Sequence, residues 1–462
     1  MTEETGMKRS ARILALLLCA LLLLSGCAAE EAPDAAEAFS ASEPAPSPTP
    51  EPTPVPTPEP TAEPVMRAET EASGAAASYI LPGQTDSTVL VCWSGAYCAE
   101  GMSVLYGIAG EDDALPAEPS AAAAVEFRLD DCFSADRMQY VAELSVEPAT
   151  RYAYAVVKNG AEPDAVYHFR TNDADELHTA AVSDTHLYSH RDHPALFEDM
   201  FENILRTELD GGRSLDMIIH TGDILDHAEY SLDTIFNGIP MLRSFLLASV
   251  AGNHDSLFVA RHRIPMTGQD KTTGDFWFVR GGVLFIGIQI ENRNFAAHAK
   301  YMRSLPEIVP EHNWTVMLIH YSMRSNGLHG HDGPVAGFRD ALEPTMDALD
   351  VDLIISGHDH EYNRTALLGG DEPAADTSDI LYKQPGERMY ITLPSGTGLK
   401  LYYGASRSAN YPFVAEGLEE EPGFVLFDFT PDEITLSARS SATGEEIDSV
   451  TLRRAAATTE EE

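Results

Sequence analysis

Five apolar runs in the sequence end in side chains that bind metals or move protons. Thr179–Ser183 leads into Asp184 and His186, and Met217–Ile219 leads through His220 into Gly222, Asp223 and Asp226. Leu246–Ala251 leads into Gly252, Asn253, His254 and Asp255. Val316–Ile319 ends in His320, and Val351–Ser356 leads into Gly357, His358, Asp359 and His360. Polar groups at the lip of an apolar strand lose hydration and must be paired or bound to metal. One such ending is ordinary structure; five are more than packing explains. Imidazole and carboxylate together suit borderline divalent metals such as zinc, iron or manganese. Glycines at 222, 252 and 357 permit the sharp turns that leave each strand. Ligands of open α/β sheets gather at the carboxyl ends of the strands, so the set reads as a metal centre carried on strand ends.

The elements that must position these groups follow from the pattern around them. Pro194–Leu209 has helical spacing with proline in its first turn. Residues 274–288 read as a hairpin through Gly281-Gly282 into a second sheet, and Phe338–Leu349 as a helix feeding the Val351 strand. Met389–Leu393, Gly423–Phe429, Glu433–Ala438 and the segment to Leu452 read as closing strands. Upstream, Ile80 to Thr171 is all-β in pattern. Ser87–Trp93, Val125–Leu129, Tyr140–Val146, Tyr152–Lys158 and Val166–Thr171 are short strands separated by turn signals such as Asn159-Gly160. That spacing suggests a small β-sandwich, with a boundary at Asn172–Glu176.

The ordered blocks Asp184-x-His186, Gly222-Asp223-x-x-Asp226, Gly252-Asn253-His254-Asp255, His320 and Gly357-His358-x-His360 resemble the calcineurin-like metallophosphoesterases, from Leu177 to about Leu401. The resemblance implies an α/β fold, a four-layer α/β/β/α sandwich, preceded here by the small all-β sandwich. It also implies two metal ions, from among manganese, iron and zinc. Asp184, His186 and His360 would hold the first ion and Asn253, His320 and His358 the second, with Asp223 bridging. His254 would be the acid or phosphate contact, oriented by Asp226. Such a pair of ions clamps the attacking and leaving oxygens of an in-line displacement and makes hydroxide available near pH 7. The implied activity is metal-dependent hydrolysis of a phosphomonoester or phosphodiester. A nucleotidase, a phosphodiesterase acting on envelope components, and a non-catalytic surface-binding lipoprotein that keeps the fold are the alternatives.

The block His358-Asp-His-Glu-Tyr-Asn-Arg-Thr365, with Arg151-Tyr-x-Tyr-x-Val and Tyr167-His-Phe-Arg-Thr171 ahead of it, is similar to purple acid phosphatases and their fibronectin-III-like domain. Two departures set this chain apart from that group. Asp226 stands where the group has a metal-binding tyrosine, and His186 is a histidine that the group lacks. The expectation is therefore a hydrolase that is not purple.

The chain has 462 residues, a net charge of −43 and 44% apolar residues. Cores can form, and the acidity argues against nucleic-acid binding, which needs lysine and arginine. Met7–Arg12 is basic and Ile13–Leu24 is apolar but short for a membrane span. Leu24-Ser-Gly-Cys27 then resembles the bacterial lipoprotein signal, which implies lipidation of Cys27 and extracytoplasmic anchoring to the cell membrane. The organisation expected is a signal peptide over 1–27, a proline-, threonine- and glutamate-rich linker over 28–78 and a fibronectin-III-like domain over 79–172. The catalytic domain would cover 173–454 and an acidic tail 455–462. Ser47–Pro60 has the extended polyproline character of a spacer. Cys92 and Cys98 are close enough to pair, leaving Cys132 odd; free thiols fit equally well. His220 reads as structural. His227, His329 and His331 are candidates for substrate contact, Arg261 and Arg324 for phosphate contact, and Arg364 for an ion pair. Nothing in the sequence fixes an oligomeric state.

Overall fold

The computed structural model describes residues 78–110, 112–128, 137–187, 193–226, 236, 238–255, 265–369, 378–402, 413–418 and 420–455. The N-terminal part is all-β: β1 (Ser78–Pro82), β2 (Thr88–Ala96), β3 (Met102–Ile108), β4 (Ser120–Ala123), β5 (Val125–Arg128), β6 (Arg137–Ser145), β7 (Arg151–Lys158) and β8 (Tyr167–Arg170). Then follow β9 (Leu177–Val182), α1 (His193–Asp210), β10 (Met217–His220), β11 (Leu246–Ser249), β12 (Phe276–Arg280) and β13 (Val283–Ile288). The next elements are α2 (Phe295–Ser304), β14 (Trp314–Ile319), α3 (Gly333–Met346), β15 (Leu353–Ser356), β16 (Tyr362–Thr365), β17 (Ile380–Lys383) and β18 (Met389–Thr392). The chain closes with β19 (Phe413–Gly417), β20 (Gly423–Phe429), β21 (Glu433–Ser440) and β22 (Glu446–Arg454).

Among the described residues these strands form three sheets. One runs β17-β22-β21-β20-β9-β10-β11-β1-β2-β6-β5, the second β12-β13-β14-β15-β18-β16-β19 and the third β4-β3-β7-β8. Period-two alternation shows how the first two pack. Val283, Phe285, Trp314, Val316, Leu318, Leu353 and Ile355 belong to one apolar core with β9–β11 and β20. Their neighbours Leu284, Ile286, Met317, Ile319 and Ile354 belong to another core, with Met302 of α2 and Phe338, Leu342 and Met346 of α3. Successive strand residues thus face the opposing sheet and the helices in turn. On α1, Phe197, Met200, Phe201 and Ile204 are buried in the first core, the i, i+3, i+4, i+7 stripe of an amphipathic helix. Helices flank two packed sheets, which is the four-layer α/β/β/α arrangement.

The expected all-β region is present. Its first sheet is continuous with the sheet of β9–β11, because β1 pairs in parallel with β11 at Ile80↔Leu246 and antiparallel with β2. Asp86, Asn172 and Arg280 stitch the junction. Asn172 Nδ2 donates to Asp86 Oδ1 at 2.9 Å, and the buried Arg280 guanidinium donates to Thr88 O at 2.6 Å. The hairpin between β12 and β13 turns at Gly281 (φ 56°) and Gly282 (φ 71°), the left-handed pair that a tight hairpin with native twist requires.

The parallel strands β9, β10 and β11 of one sheet and β13, β14, β15 and β18 of the other end along a shared edge. A bridge between Ser183 and Ser395 ties the end of β9 to the end of β18. No helix of the described residues is long and apolar enough to cross a membrane. Cys27, residues 28–77 of the expected linker, Cys132, His227 and Arg261 lie outside the described residues, and Ser78 already belongs to β1. Cys92 and Cys98 are both free thiols, Cys92 buried within β2.

Candidate metal centre

The strand ends converge. Asp184, His186, Asp223 and His360, all buried, bring one ligand atom each to within 4.8 Å of the others. His360 Nε2 lies 3.2 Å from Asp184 Oδ1 and 3.3 Å from His186 Nε2. His320 Nε2 lies 3.1 Å from Asn253 Oδ1. Asp223 Oδ2 stands between the two groups, 3.7 Å from His186 Nε2 and 3.5 Å from His320 Nε2. The His358 ring is 5.0 Å from that of His320, and its backbone N–H donates to Asp184 Oδ2 at 2.9 Å. All seven metal candidates from the sequence therefore meet at one edge.

The backbone that delivers them is unusual. Asp184, His186, Asp223, His358 and His360 all have positive φ, between 46° and 75°. Left-handed backbone costs a non-glycine residue of order 1 kcal/mol or more, and it gathers at functional sites. Space is equally constrained. A Cβ on Gly252 would sit 2.0 Å from Asp223 Oδ1, and one on Gly357 would sit 1.9 Å from Ser183 Oγ. Asp255 braces the turn by accepting from the backbone N–H groups of Ile224, Leu225 and Gly252 at 3.0–3.2 Å.

The donor set fits metal ions. His320 Nδ1 faces the Thr221 carbonyl at 2.9 Å and His360 Nδ1 faces the Lys400 carbonyl at 2.7 Å. Each Nδ1–H donates there, so each Nε2 is turned into the site, the usual way a protein orients a ligating imidazole. His320 Nε2 then faces another acceptor, Asn253 Oδ1, with no proton to share. Asp184 Oδ1 is buried and makes no well-formed hydrogen bond. Charge tells the same story. Burial holds His320 and His358 below the ordinary histidine range, and pushes His186 down to about 2. These rings are neutral, the form in which an imidazole can ligate a metal. Burial, joined by repulsion from Asp184, drives the Asp223 carboxyl well above its usual value. Burial opposes the charge of Asp184, but its carboxyl is drawn well down, chiefly by His360, whose Nε2 lies 3.2 Å away. Two buried carboxylates this close call for a positive charge between them.

Beside the cluster, Asp226 Oδ1 lies 2.6 Å from His254 Nδ1 and 3.4 Å from His186 Nδ1. The backbone N–H of His254 donates to Asp223 Oδ1 at 2.8 Å. His329 is brought in, its ring 4.7 Å from His358, whereas His331 is exposed. His220 is structural, facing Thr185 Oγ1 at 3.0 Å, with its pKa pushed down to about 3 by burial. Arg324, a phosphate candidate by sequence, forms a two-pronged ion pair with Glu343 at 2.7 Å. Arg364 pairs with Asp448 at 2.6 Å, as expected.

Two residues at the centre carry no sequence signal that singled them out. Lys400 Nζ lies 3.0 Å from His254 Nε2, and Tyr402 stacks on His360 with ring centroids 4.3 Å apart. Both follow β18, a sixth apolar strand ending at the same edge. Its carboxyl end was the available clue, but the Pro394–Leu399 turn separates the strand from them.

Residues 177–362 match the family model described as calcineurin-like phosphoesterase. Among solved structures the chain is similar to purple acid phosphatase PPD1 from yellow lupin (Lupinus luteus) seeds. The identity is 16% and the TM-score 0.67, over 82% of this chain and 74% of that one. It is also similar to PhoD, at 12% identity and a TM-score of 0.53, over 84% of this chain and 96% of that one. At these identities the likeness speaks for the fold. No curated protein matches the chain.

Proposed function

We propose that this metal-dependent phosphoric ester hydrolase, built on a calcineurin-like metallophosphoesterase domain, works with two metal ions outside the cytoplasm. Asp184, His186 and His360 hold one ion, Asn253, His320 and His358 the other, and Asp223 bridges them. The observation that carries this reading is the position of Asp223 Oδ2, 3.7 Å from one histidine group and 3.5 Å from the other. Bound there, the ions supply Lewis acidity and a nucleophile at neutral pH.

The chain's own residues do the rest. The strained turns fix the ligands before substrate arrives. His254, held by Asp226 at 2.6 Å, stands beside the cluster, where an imidazole can contact a phosphoryl oxygen or protonate a leaving alkoxide. Asp226 keeps the His254 ring oriented. Manganese, iron and zinc all suit these donors. Asp226 in place of a ligating tyrosine supports a colourless centre.

The Leu24-Ser-Gly-Cys27 motif and the proline-rich segment after it support export and lipid anchoring through Cys27. The substrate is then an extracytoplasmic phosphate ester, and the fibronectin-III-like sandwich is a spacer or cleft wall. Hydrolysis of p-nitrophenyl phosphate and bis-p-nitrophenyl phosphate, after chelation and after adding back each metal, tests the activity. Restoration by metal supports the reading, and hydrolysis that survives complete chelation contradicts it. Cys27→Ser should release the protein from membranes; continued membrane fractionation after signal cleavage would refute the anchor.

A further inference from the structure

We propose that Lys400 is a substrate-binding residue that holds a non-bridging oxygen of a terminal phosphate and so favours monoesters over diesters. The inference rests on the reading of the site as hydrolytic. It begins with how firmly the lysine is placed. Gly396 N–H donates to Ser183 O at 2.8 Å, Thr397 Oγ1 to Thr185 O at 2.8 Å and Ser395 Oγ to Asp184 O at 3.0 Å. The Lys400 carbonyl accepts from His360 Nδ1 at 2.7 Å. The turn that carries Lys400 is thus sewn to the turn that carries Asp184 and His186.

Its ammonium is spent on nothing structural. Among the described residues no carboxylate lies within ion-pair distance of Nζ, although the chain has 73 acidic residues against 30 lysines and arginines. Instead Nζ donates to His254 Nε2 at 3.0 Å and stands 5.8 Å from the Tyr402 ring centroid. An imidazole nitrogen is a neutral acceptor. A phosphoryl oxygen is an anionic one, and adds the attraction of opposite charges to the hydrogen bond. An incoming phosphate therefore draws the ammonium from His254, and leaves Nε2 facing the substrate. A terminal phosphate offers three non-bridging oxygens and up to two charges, whereas a diester offers two oxygens and one charge. A compact point charge such as an ammonium responds to that difference.

The test compares metal-loaded wild type, Lys400→Met and Lys400→Arg. Inorganic phosphate binding is read by calorimetry, and KM and kcat are measured on p-nitrophenyl phosphate and bis-p-nitrophenyl phosphate. Loss of one hydrogen bond to a charged group predicts phosphate affinity about tenfold weaker or more in Lys400→Met. KM for the monoester should rise in step, KM for the diester should move little, and Lys400→Arg should recover part of the affinity. In wild type, phosphate should also protect Lys400 from acylation, read by mass spectrometry, which needs no variant to fold. Unchanged phosphate affinity in Lys400→Met, equal KM changes for both esters, or no protection would overturn the inference. Lys400-dependent phosphate binding by a protein that hydrolyses neither ester would instead sink the hydrolytic reading and leave the phosphate contact standing.

Discussion

His186 Nε2 and His360 Nε2 stand 3.3 Å apart, though the residues are 174 positions apart in the chain. The His360 Nδ1–H is committed to the Lys400 carbonyl at 2.7 Å, so two ring nitrogens face each other beside Asp184 Oδ1. A cation turns that opposition into coordination. Chelation should therefore lower the melting temperature. A ligand present at a hundred times its dissociation constant stabilises the folded state by about 2.7 kcal/mol. Scanning calorimetry with and without chelator reads this directly, and identical curves would speak against tight binding.

Gly252 packs directly against the Asp223 carboxylate, with no room for a Cβ 2.0 Å from Asp223 Oδ1. Gly252→Ala should displace Asp223. The expected cost is about 1–3 kcal/mol of stability, typical of overpacking, with a 10- to 100-fold loss of metal affinity on the order seen when ligand-orienting groups are disturbed. Chemical denaturation and a metal titration of the folded variant check the two parts separately.

His254 touches the cluster through hydrogen bonds and stands outside the ligand set. His254→Ala should keep its metal content and lose rate by about 10²–10⁴, the usual worth of a positioned acid–base group. Asp226→Asn should lose less, since the ring stays while its orienting charge goes. Elemental analysis beside steady-state kinetics distinguishes this from loss of metal, and unchanged turnover in His254→Ala would assign leaving-group chemistry elsewhere.

Remote from the centre, His298 in α2 is a pH-dependent contributor to stability. Burial opposes its charge, but the Asp275 carboxylate at 2.7 Å and the Asn292 carbonyl at 2.6 Å outweigh burial and raise its pKa. A raised histidine pKa stabilises the fold below the unfolded value of about 6.5 and loses that contribution as pH rises through the folded value. The stability gap between wild type and His298→Gln should thus be widest near pH 6 and narrow towards pH 9. A gap that widens instead would show that the ring is neutral in the folded protein.

The ligand-bearing strands were legible because each couples a β-branched or aliphatic run to a polar stop. The hairpin at Gly281-Gly282 was legible from its glycines. Other strands were not. Tyr362–Thr365 is fully buried yet reads as polar, because Arg364 is paired there with the distant Asp448. Ser78–Pro82 gives no hint that it pairs in parallel with Leu246–Ser249 and fuses the N-terminal sheet to the catalytic one. Within the site, residue type found the histidines and aspartates but could not weigh the arginines. Arg324 follows His320 closely in sequence, and Glu343 from α3 takes its guanidinium. Lys400 was invisible because a lysine after a glycine-rich turn is common, and only the fold brings it 3.0 Å from His254.

The most direct test is a metal count. Chelated protein, titrated with manganese, iron or zinc while hydrolysis is followed, should take up two ions per chain and regain activity as the second binds. Asp223→Asn should fail to hold both and remain inactive. Full activity with a single ion, or in Asp223→Asn, would contradict a two-metal centre bridged by Asp223.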